Sequence, residues 1–370
     1  MTRCVAALVI ATALAGCGGG HEGTTQRPGS HAAASRAAGR APALTPAQLA
    51  GQHVIFPFAG RVPPRALLRR IGRGEAAGVV FLAANLGTAA QGKALTRRLQ
   101  GVPRPPGMRA PLLLMVDQEG GSVKRLPGAP VRSAPAMAAT GSPAVARSEG
   151  RATAATLRAA GMNVDLAPVV DVVRPESALH TEGRGFGFTA ASAARYGAAF
   201  AAGLREGHVA ATAKHFPGFG AAPSNTDLGA VRIGLPLREL HAVDRVPFAA
   251  AIRAGTRLVM LSSAVYPALS SRPAVLSRRV VQRELRDDLG FDGVTISDDL
   301  EAPVFASQGG PSQAALQAAS AGVDLLLYAR TYNAAARAAD ALAAAIRTGA
   351  VDRGALEASR QRIEALRASL

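Results

Sequence analysis

The sequence predicts an α/β protein whose folded part is one (β/α)8 TIM barrel. Eight short runs rich in Val, Ile and Leu lack polar alternation, the pattern of strands covered on both faces, and stretches with helical spacing separate them. Asp117, Asp171, Lys214, His215, Ser262, Ser263 and Asp298 fall at the C-terminal ends of those runs, the end at which a barrel gathers its functional loops. Ionisable groups at the ends of buried strands are costly unless they meet each other or a ligand. Repeated strand–helix units also suit an open, doubly wound sheet, which is the alternative arrangement.

The chain begins with an export signal rather than a structural element. Arg3 supplies a positive start and residues 5–13 an apolar stretch too short to span a bilayer; Leu14-Ala15-Gly16-Cys17 then resembles a bacterial lipobox, with Cys17 the lipidated residue. Residues 1–17 are thus expected to be a lipoprotein signal, and export is expected to leave the protein on the outer face of the cytoplasmic membrane, held by lipid alone. Cys4 departs with the signal, so a single cysteine remains and no internal disulfide forms. Residues 18–44 are rich in Gly, Ala, Ser and Arg without periodicity and read as a flexible tether. The folded domain is expected over 45–370, where Thr45 caps a helix and Pro46 occupies its first position.

Strands are expected at 53–59, 78–82, 111–117, 162–171, 209–215, 257–263, 293–298 and 323–328. Helices are expected at 64–74, 89–99, 144–160, 191–206, 237–254, 277–289 and 312–321, with two more at 333–347 and 354–369. The segments leaving strands three, four and five, from Gln118, Val172 and Phe216, are long, and in a barrel they share one rim.

Composition narrows the function. With 48% apolar and 18% charged residues the 370-residue chain can bury a large core. Its net charge of +17 is spread along the sequence, and only Lys93, Lys124 and Lys214 among 42 basic residues are lysine, so the surface reads as solvated and mildly basic. No Trp and 4% aromatics exclude a stacking platform for single-stranded nucleic acid. Seven scattered His without zinc spacing point to no metal, and neither a GxSxG elbow nor a phosphate-cradling loop is present.

Three motifs carry chemistry. Asp117-Gln118-Glu119-Gly120-Gly121 ends a strand with carboxylates and two glycines that let backbone approach a ligand, and Arg125 follows with a planar fork suited to a polar one. Lys214-His215 places one of three lysines at a buried strand end where arginine is the compositional default, so a compact ammonium is required there. In Ser297-Asp298-Asp299 one aspartate can cap the following turn while the other faces the barrel mouth as a nucleophile or electrostatic anchor.

VDQEGGSVKRLPG (116–128), NVDLAPVVDV (163–172), RGFG (184–187), KHFPGFG (214–220), LRELHAVDRVPFAAAI (237–252), VMLSSAVYP (259–267) and GFDGVTISDDL (290–300) together resemble glycoside hydrolase family 3, in particular its single-domain β-N-acetylhexosaminidases of the NagZ type. The resemblance runs from about residue 45 to the C-terminus. It implies a monomeric, cofactor-free exo-glycosidase acting with retention on a carbohydrate such as a muropeptide. Asp298 is then the nucleophile, and Asp117, Arg125, Arg184, Lys214 and His215 hold the sugar hydroxyls. Nearby Lys and Arg are expected to favour the ionised form of Asp298.

The chain departs from that family in the loop after strand five. The family carries an Asp-Ser-His triplet there, with His as proton donor; this sequence reads Asn225-Thr226-Asp227, and Phe219 replaces a further family histidine. Asp227 is the expected substitute acid/base, Asn225 the residue expected to orient it, and Phe219 an apolar neighbour that would raise the Asp227 pKa. The alternatives are a cell-surface sugar-binding lipoprotein that hydrolyses little, and a β-glucosidase or phosphorylase.

Overall fold

The computed structural model describes residues 43–370; the signal segment, Cys17 and the tether up to residue 42 lie outside the described residues. Thr45 opens the first helix, Pro46–Gly51, with a reciprocal cap: its hydroxyl accepts the Gln48 N–H (3.2 Å) and the Gln48 side chain accepts the Thr45 N–H (3.0 Å). Pro46 at the first position has no N–H to leave unpaired.

Eight parallel strands follow at the expected places: β1 Val54–Phe56, β2 Gly78–Phe81, β3 Leu113–Val116, β4 Val164–Asp165, β5 Ala210–Phe216, β6 Leu258–Leu261, β7 Val294–Ser297 and β8 Leu326–Leu327. They pair in sequence order, and β8 returns to pair with β1. β7 and β8 meet through the Ile296–Leu325 bridge, where Leu325 N–H donates to Thr295 O and Ser297 N–H to Leu325 O, each at 2.9 Å. The sheet therefore closes into the barrel, and the doubly wound alternative does not apply. The fourth strand is shorter than its apolar run, since Pro168 has no N–H for the ladder and pairing resumes only at the Val169–Lys214 bridge.

The apolar strands serve two cores. Ile55, Val80, Leu113, Met115, Leu166, Met260, Ile296 and Leu327 point into the barrel, while Phe56, Val79, Leu114, Val116, Val259 and Leu261 pack outward against the helices. The surrounding helices include Pro143–Ala159, Ala190–Glu206 and Tyr332–Thr348, each within two residues of expectation. The expected helix 237–254 instead holds a wider π-type turn at Leu240–Asp244, next to Pro247, whose ring cannot sit under a regular α-helical turn. A second π-type segment, Arg279–Asp287, occupies the expected helix 277–289.

The C-terminal helix, Arg353–Ala368, closes the barrel at its N-terminal end. Its Ile363 and Leu366 join the interior cluster, and Arg367 donates to Ala77 O at 2.7 Å. Beside it, fully buried Asp324 accepts from Arg286 (2.6 Å), Arg362 (2.6 Å), and both the N–H and hydroxyl of Thr295. Burial raises the Asp324 pKa, but the two guanidinium groups outweigh it and hold it below the usual aspartate value. The cavity among the described residues opens at the rim where the long loops sit.

Candidate active site

Side chains alternate along a strand, so the residues continuing the interior phase past each strand end must emerge at the rim. Leu113 and Met115 point inward, and Asp117 is next in phase; Val294 and Ile296 point inward, and Asp298 is next. On β5 the register slips between Ala213 and Phe216, and the adjacent Lys214 and His215 both reach the same cavity. That cavity, about 580 Å³, has an apolar floor of Val80, Leu166, Met260 and Leu327 beneath charged walls.

One wall is a ladder of ion pairs. Lys214 Nζ lies 2.6 Å from Asp117 Oδ1 and 2.7 Å from Glu119 Oε1, with only 3% of its side chain exposed. Arg184 grips Glu119 with two parallel bonds of 2.8 Å and reaches Glu182 at 2.8 Å; Glu182 in turn accepts from Asn225 Nδ2 at 3.0 Å. Burial alone would raise the Glu119 pKa, but Lys214 and Arg184 overcome it and hold the group at about 2. For Lys214 the same balance holds in reverse: burial lowers the pKa, and Asp117 and Glu119 push it above the usual lysine value.

The hairpin carrying these carboxylates, Gln118–Gly120 with Val123–Lys124, is pinned from within. The Gln118 side chain accepts from Arg125 N–H and Leu126 N–H and donates to Leu126 O and Ala129 O. The Arg125 guanidinium enters no ion pair among the described residues, and its buried Nε has no partner.

A second wall holds His215. Its Nδ1 lies 2.9 Å from Asp171 Oδ2, and the same carboxylate accepts the N–H groups of His215 and Phe219. Asp171 fixes Nδ1 as a donor and leaves Nε2 for the cavity. Phe219 packs edge-on against the imidazole, 5.5 Å between ring centres. The loop can pass this close to the β4 exit because residue 220 is glycine: a Cβ there would sit 1.8 Å from Val172 O.

Asp298 stands apart. Its carboxylate accepts the Asp299 N–H at 2.8 Å and enters no ion pair among the described residues. Burial pushes its pKa above the ordinary 3.8, His215 pulls it down, and Asp227 adds to the rise. Its neighbour Asp299 is the capping aspartate: it accepts from the N–H groups of Glu301 and Ala329, and burial lifts it to about 6.

Residues 63–366 match the family model described as glycosyl hydrolase family 3 N terminal domain. The chain belongs to glycoside hydrolase family 3. It is 38% identical over 329 residues to an uncharacterized secreted glycosyl hydrolase of Arthroderma benhamiae, covering 87% of this chain and 93% of the fungal one. A beta-hexosaminidase of Xanthomonas oryzae pv. oryzae is 35% identical over 260 residues, 68% of this chain and 75% of that protein. Among solved structures, a family 3 beta-N-acetylglucosaminidase from a Paenibacillus species superposes with a TM-score of 0.82 at 32% identity, over 88% of this chain; the chain spans 63% of that enzyme.

In this family 3 barrel, the eight residues given site roles from the sequence line one cavity, Asp117, Arg125, Arg184, Lys214, His215, Asn225, Asp227 and Asp298, whereas the strand-end residues Asp171, Ser262 and Ser263 are not in its lining. Their environments differ from expectation in three respects. Lys214 lowers the Asp298 pKa but does not outweigh its burial, and the charges of Lys214 and Arg184 are shared with Asp117, Glu119 and Glu182. Asn225 does not grip the Asp227 carboxylate. Its carbonyl accepts the Asp227 backbone N–H at 2.9 Å and its amide donates to Glu182. The Asp227 side chain is 60% exposed and paired with Arg330 at 3.1 Å, so Phe219, turned toward His215, provides no apolar wall for it.

Glu119, Glu182, Asp171, Asp299 and Arg330 complete the site. Glu119 stands inside a quoted motif, but nothing in the sequence tells which carboxylate of the Asp-Gln-Glu run meets a cation. Arg330 carries no local signal; only its place just past the last strand marks it. Among the described residues no cluster of three or more His, Cys, Asp or Glu could hold a metal ion, and no helix is long and apolar enough to cross a membrane.

Proposed function

We propose that this family 3 hydrolase is a retaining exo-β-N-acetylhexosaminidase that removes terminal β-N-acetylglucosamine through a covalent bond to Asp298. The observation that carries the reading is the ion-pair-free Asp298 carboxylate in a cavity where Lys214, Arg184 and Arg330 are bound to other carboxylates. A nucleophile must stay free of a cation that would hold its charge, and Asp117, Glu119 and Glu182 of the ladder are each paired with one whereas Asp298 is not. The names of the Xanthomonas and Paenibacillus relatives support the sugar.

In this mechanism Asp117, Lys214, Arg184, Arg125 and His215 Nε2 bind the sugar hydroxyls, and an Asp298 oxygen attacks C1. Asp227 donates a proton to the departing oxygen as the C1–O bond breaks. Water then adds to C1 on the face the leaving group vacated, giving its proton to Asp227 while the Asp298 ester bond breaks, so the configuration is retained. Peptidoglycan fragments are the proposed substrate, met outside the membrane after lipidation at Cys17; loss of membrane association in Cys17→Ser checks the anchor.

Release of p-nitrophenol from the N-acetylglucosaminide tests the nucleophile: Asp298→Ala should abolish it, and an unchanged rate would refute the assignment. Asp227→Ala should lower kcat/KM about 10²–10⁴-fold on substrates with poor leaving groups, spare kcat/KM on activated aryl glycosides, and have its slowed turnover of the latter rescued by azide. The exposure of Asp227 favours one second reading, a sugar-binding protein of slow turnover; tight N-acetylglucosamine binding with negligible hydrolysis of every aryl glycoside tried would select it.

A further inference from the structure

Arg330 touches both halves of the site. It follows β8, and its backbone is fixed before its side chain begins: Arg330 N–H and Thr331 N–H donate to Glu301 Oε2 at 3.0 and 2.8 Å, and Ala329 N–H donates to Asp299 Oδ1 at 3.0 Å. The guanidinium then divides. Nε donates to Asp299 Oδ2 (2.9 Å), and Nη2 donates to Asp227 Oδ1 (3.1 Å). Asp299 gives its own N–H to Asp298 Oδ1 (2.8 Å). A continuous chain of contacts thus runs from the loop after β5, through one arginine, to the carboxylate at the end of β7.

That loop has little else to hold it. Between Pro223 and Ala230 the hydrogen bonds that leave the segment come from two places: Asn225 donating to Glu182, and Asp227, whose carboxylate and carbonyl oxygens accept from Arg330. The ion pair is exposed on both sides, 43% for Arg330 and 60% for Asp227, and such pairs contribute little to stability. Its consequence is positional.

From these contacts we infer that Arg330 is a positioning residue for the proposed acid/base step, a brace that sets Asp227 at a fixed separation from Asp298. The inference rests on Asp227 being the proton donor. The chemistry of the contact suits the role. Arg330 engages Oδ1 and leaves Oδ2 without a partner, so the acid form carries its proton on Oδ2 while Oδ1 accepts from the guanidinium. As that proton passes to the departing oxygen, negative charge grows on the carboxylate beside a cation already in place. In the second step the same contact holds the ionised form ready to take a proton from water. Retention requires the two carboxyl groups to lie about 5–5.5 Å apart, and a loop whose outward hydrogen bonds come from Asn225 and Asp227 needs such a brace to keep that spacing.

The experiment compares Arg330→Gln and Arg330→Lys with the parent on two N-acetylglucosaminides, one with a p-nitrophenyl and one with a p-cresyl leaving group, with Asp227→Ala and the Asp227→Ala/Arg330→Gln double variant alongside. Arg330→Gln should lose roughly 10- to 100-fold in kcat/KM on the poor leaving group and less than about threefold in kcat/KM on the activated one, with thermal unfolding unchanged. Arg330→Lys should recover part of the loss, and the double variant should be no slower than Asp227→Ala alone. Equal losses on both substrates, or losses that add in the double variant, would overturn the brace. If Asp227→Ala itself shows no leaving-group dependence, the acid/base assignment falls and the brace with it. A leaving-group-dependent Asp227→Ala beside an indifferent Arg330→Gln would remove only the brace.

Discussion

Replacing Lys214 by Met keeps the length of the side chain and removes its charge, so the loss it causes is electrostatic rather than a cavity. The ammonium sits 2.6 Å from Asp117 and 2.7 Å from Glu119 with 3% of its side chain exposed, and its removal leaves those two carboxylates facing each other. Breaking a buried pair of this kind costs about 3–5 kcal/mol. A second route gives a similar size: moving Glu119 from 4.5 to about 2 corresponds to about 3 kcal/mol, which Lys214 shares with Arg184. For a folded part of roughly 330 residues, an unfolding entropy near 2.1 cal/mol/K per residue converts 3–5 kcal/mol into a fall in Tm of about 4–7 °C. Glu119 has a lowered pKa, so its contribution is complete above 4.5 and fades as pH falls toward about 2; the gap between variant and parent should narrow over that window. Thermal unfolding followed by circular dichroism at pH 7 and pH 3 measures both effects. A Tm within about 1 °C of the parent at pH 7 would refute the ladder as a source of stability. Lys214→Arg keeps the charge but adds a second fork where Arg184 already occupies both Glu119 oxygens, and it should not restore turnover; normal kinetics would refute the need for a compact cation.

Two further outcomes follow from the other buried carboxylates. Asp298→Asn should be inactive yet at least as stable as the parent at pH 7. The raised pKa means the folded protein binds that proton more tightly than the unfolded chain, so the ionised group costs stability as pH rises. For the same reason the acid limb of kcat/KM should lie above the ordinary aspartate value of 3.8, and a limb below it would contradict the burial argument. Asp324→Asn leaves Arg286 and Arg362 without their shared carboxylate and should lower stability by about 3–5 kcal/mol while leaving kcat of the folded fraction unchanged. Because the Asp324 pKa is lowered, the parent's advantage should shrink as pH falls below the usual aspartate range; a constant gap in calorimetry from pH 7 to pH 3 would count against it.

The barrel was legible because its strands are covered on both faces. The run 111–117 carries apolar residues without alternation, and there, as in the alternating Val-Thr-Ile-Ser of 294–297, the interior phase of Leu113, Met115 and Val294, Ile296 delivers Asp117 and Asp298 to the rim by counting alone. What counting does not deliver is partnership. Lys214 stood out as a rare residue, but its two carboxylates lie 97 and 95 positions earlier in the chain, and only the closed barrel brings them together. The expected link between Asn225 and the Asp227 carboxylate goes instead to the Asp227 backbone, because two residues apart an asparagine side chain readily closes a local turn. The π-type turn before Pro247 was hidden for a similar reason: apolar spacing reports a helix, while the missing N–H changes its winding.

The position of the helix beneath the barrel bears on how the molecule is made. Arg353–Ala368 follows the eighth strand, yet Ile363 and Leu366 seal the chamber that Ile55 of the first strand helps to form. Synthesis runs from the amino end, so the chamber remains unsealed until the ribosome has passed residue 366. A nonsense codon between positions 331 and 362 would yield chains that possess every strand and every residue lining the cavity, but with a greasy hole in their underside, and such products should be recognised by chaperones rather than by substrate.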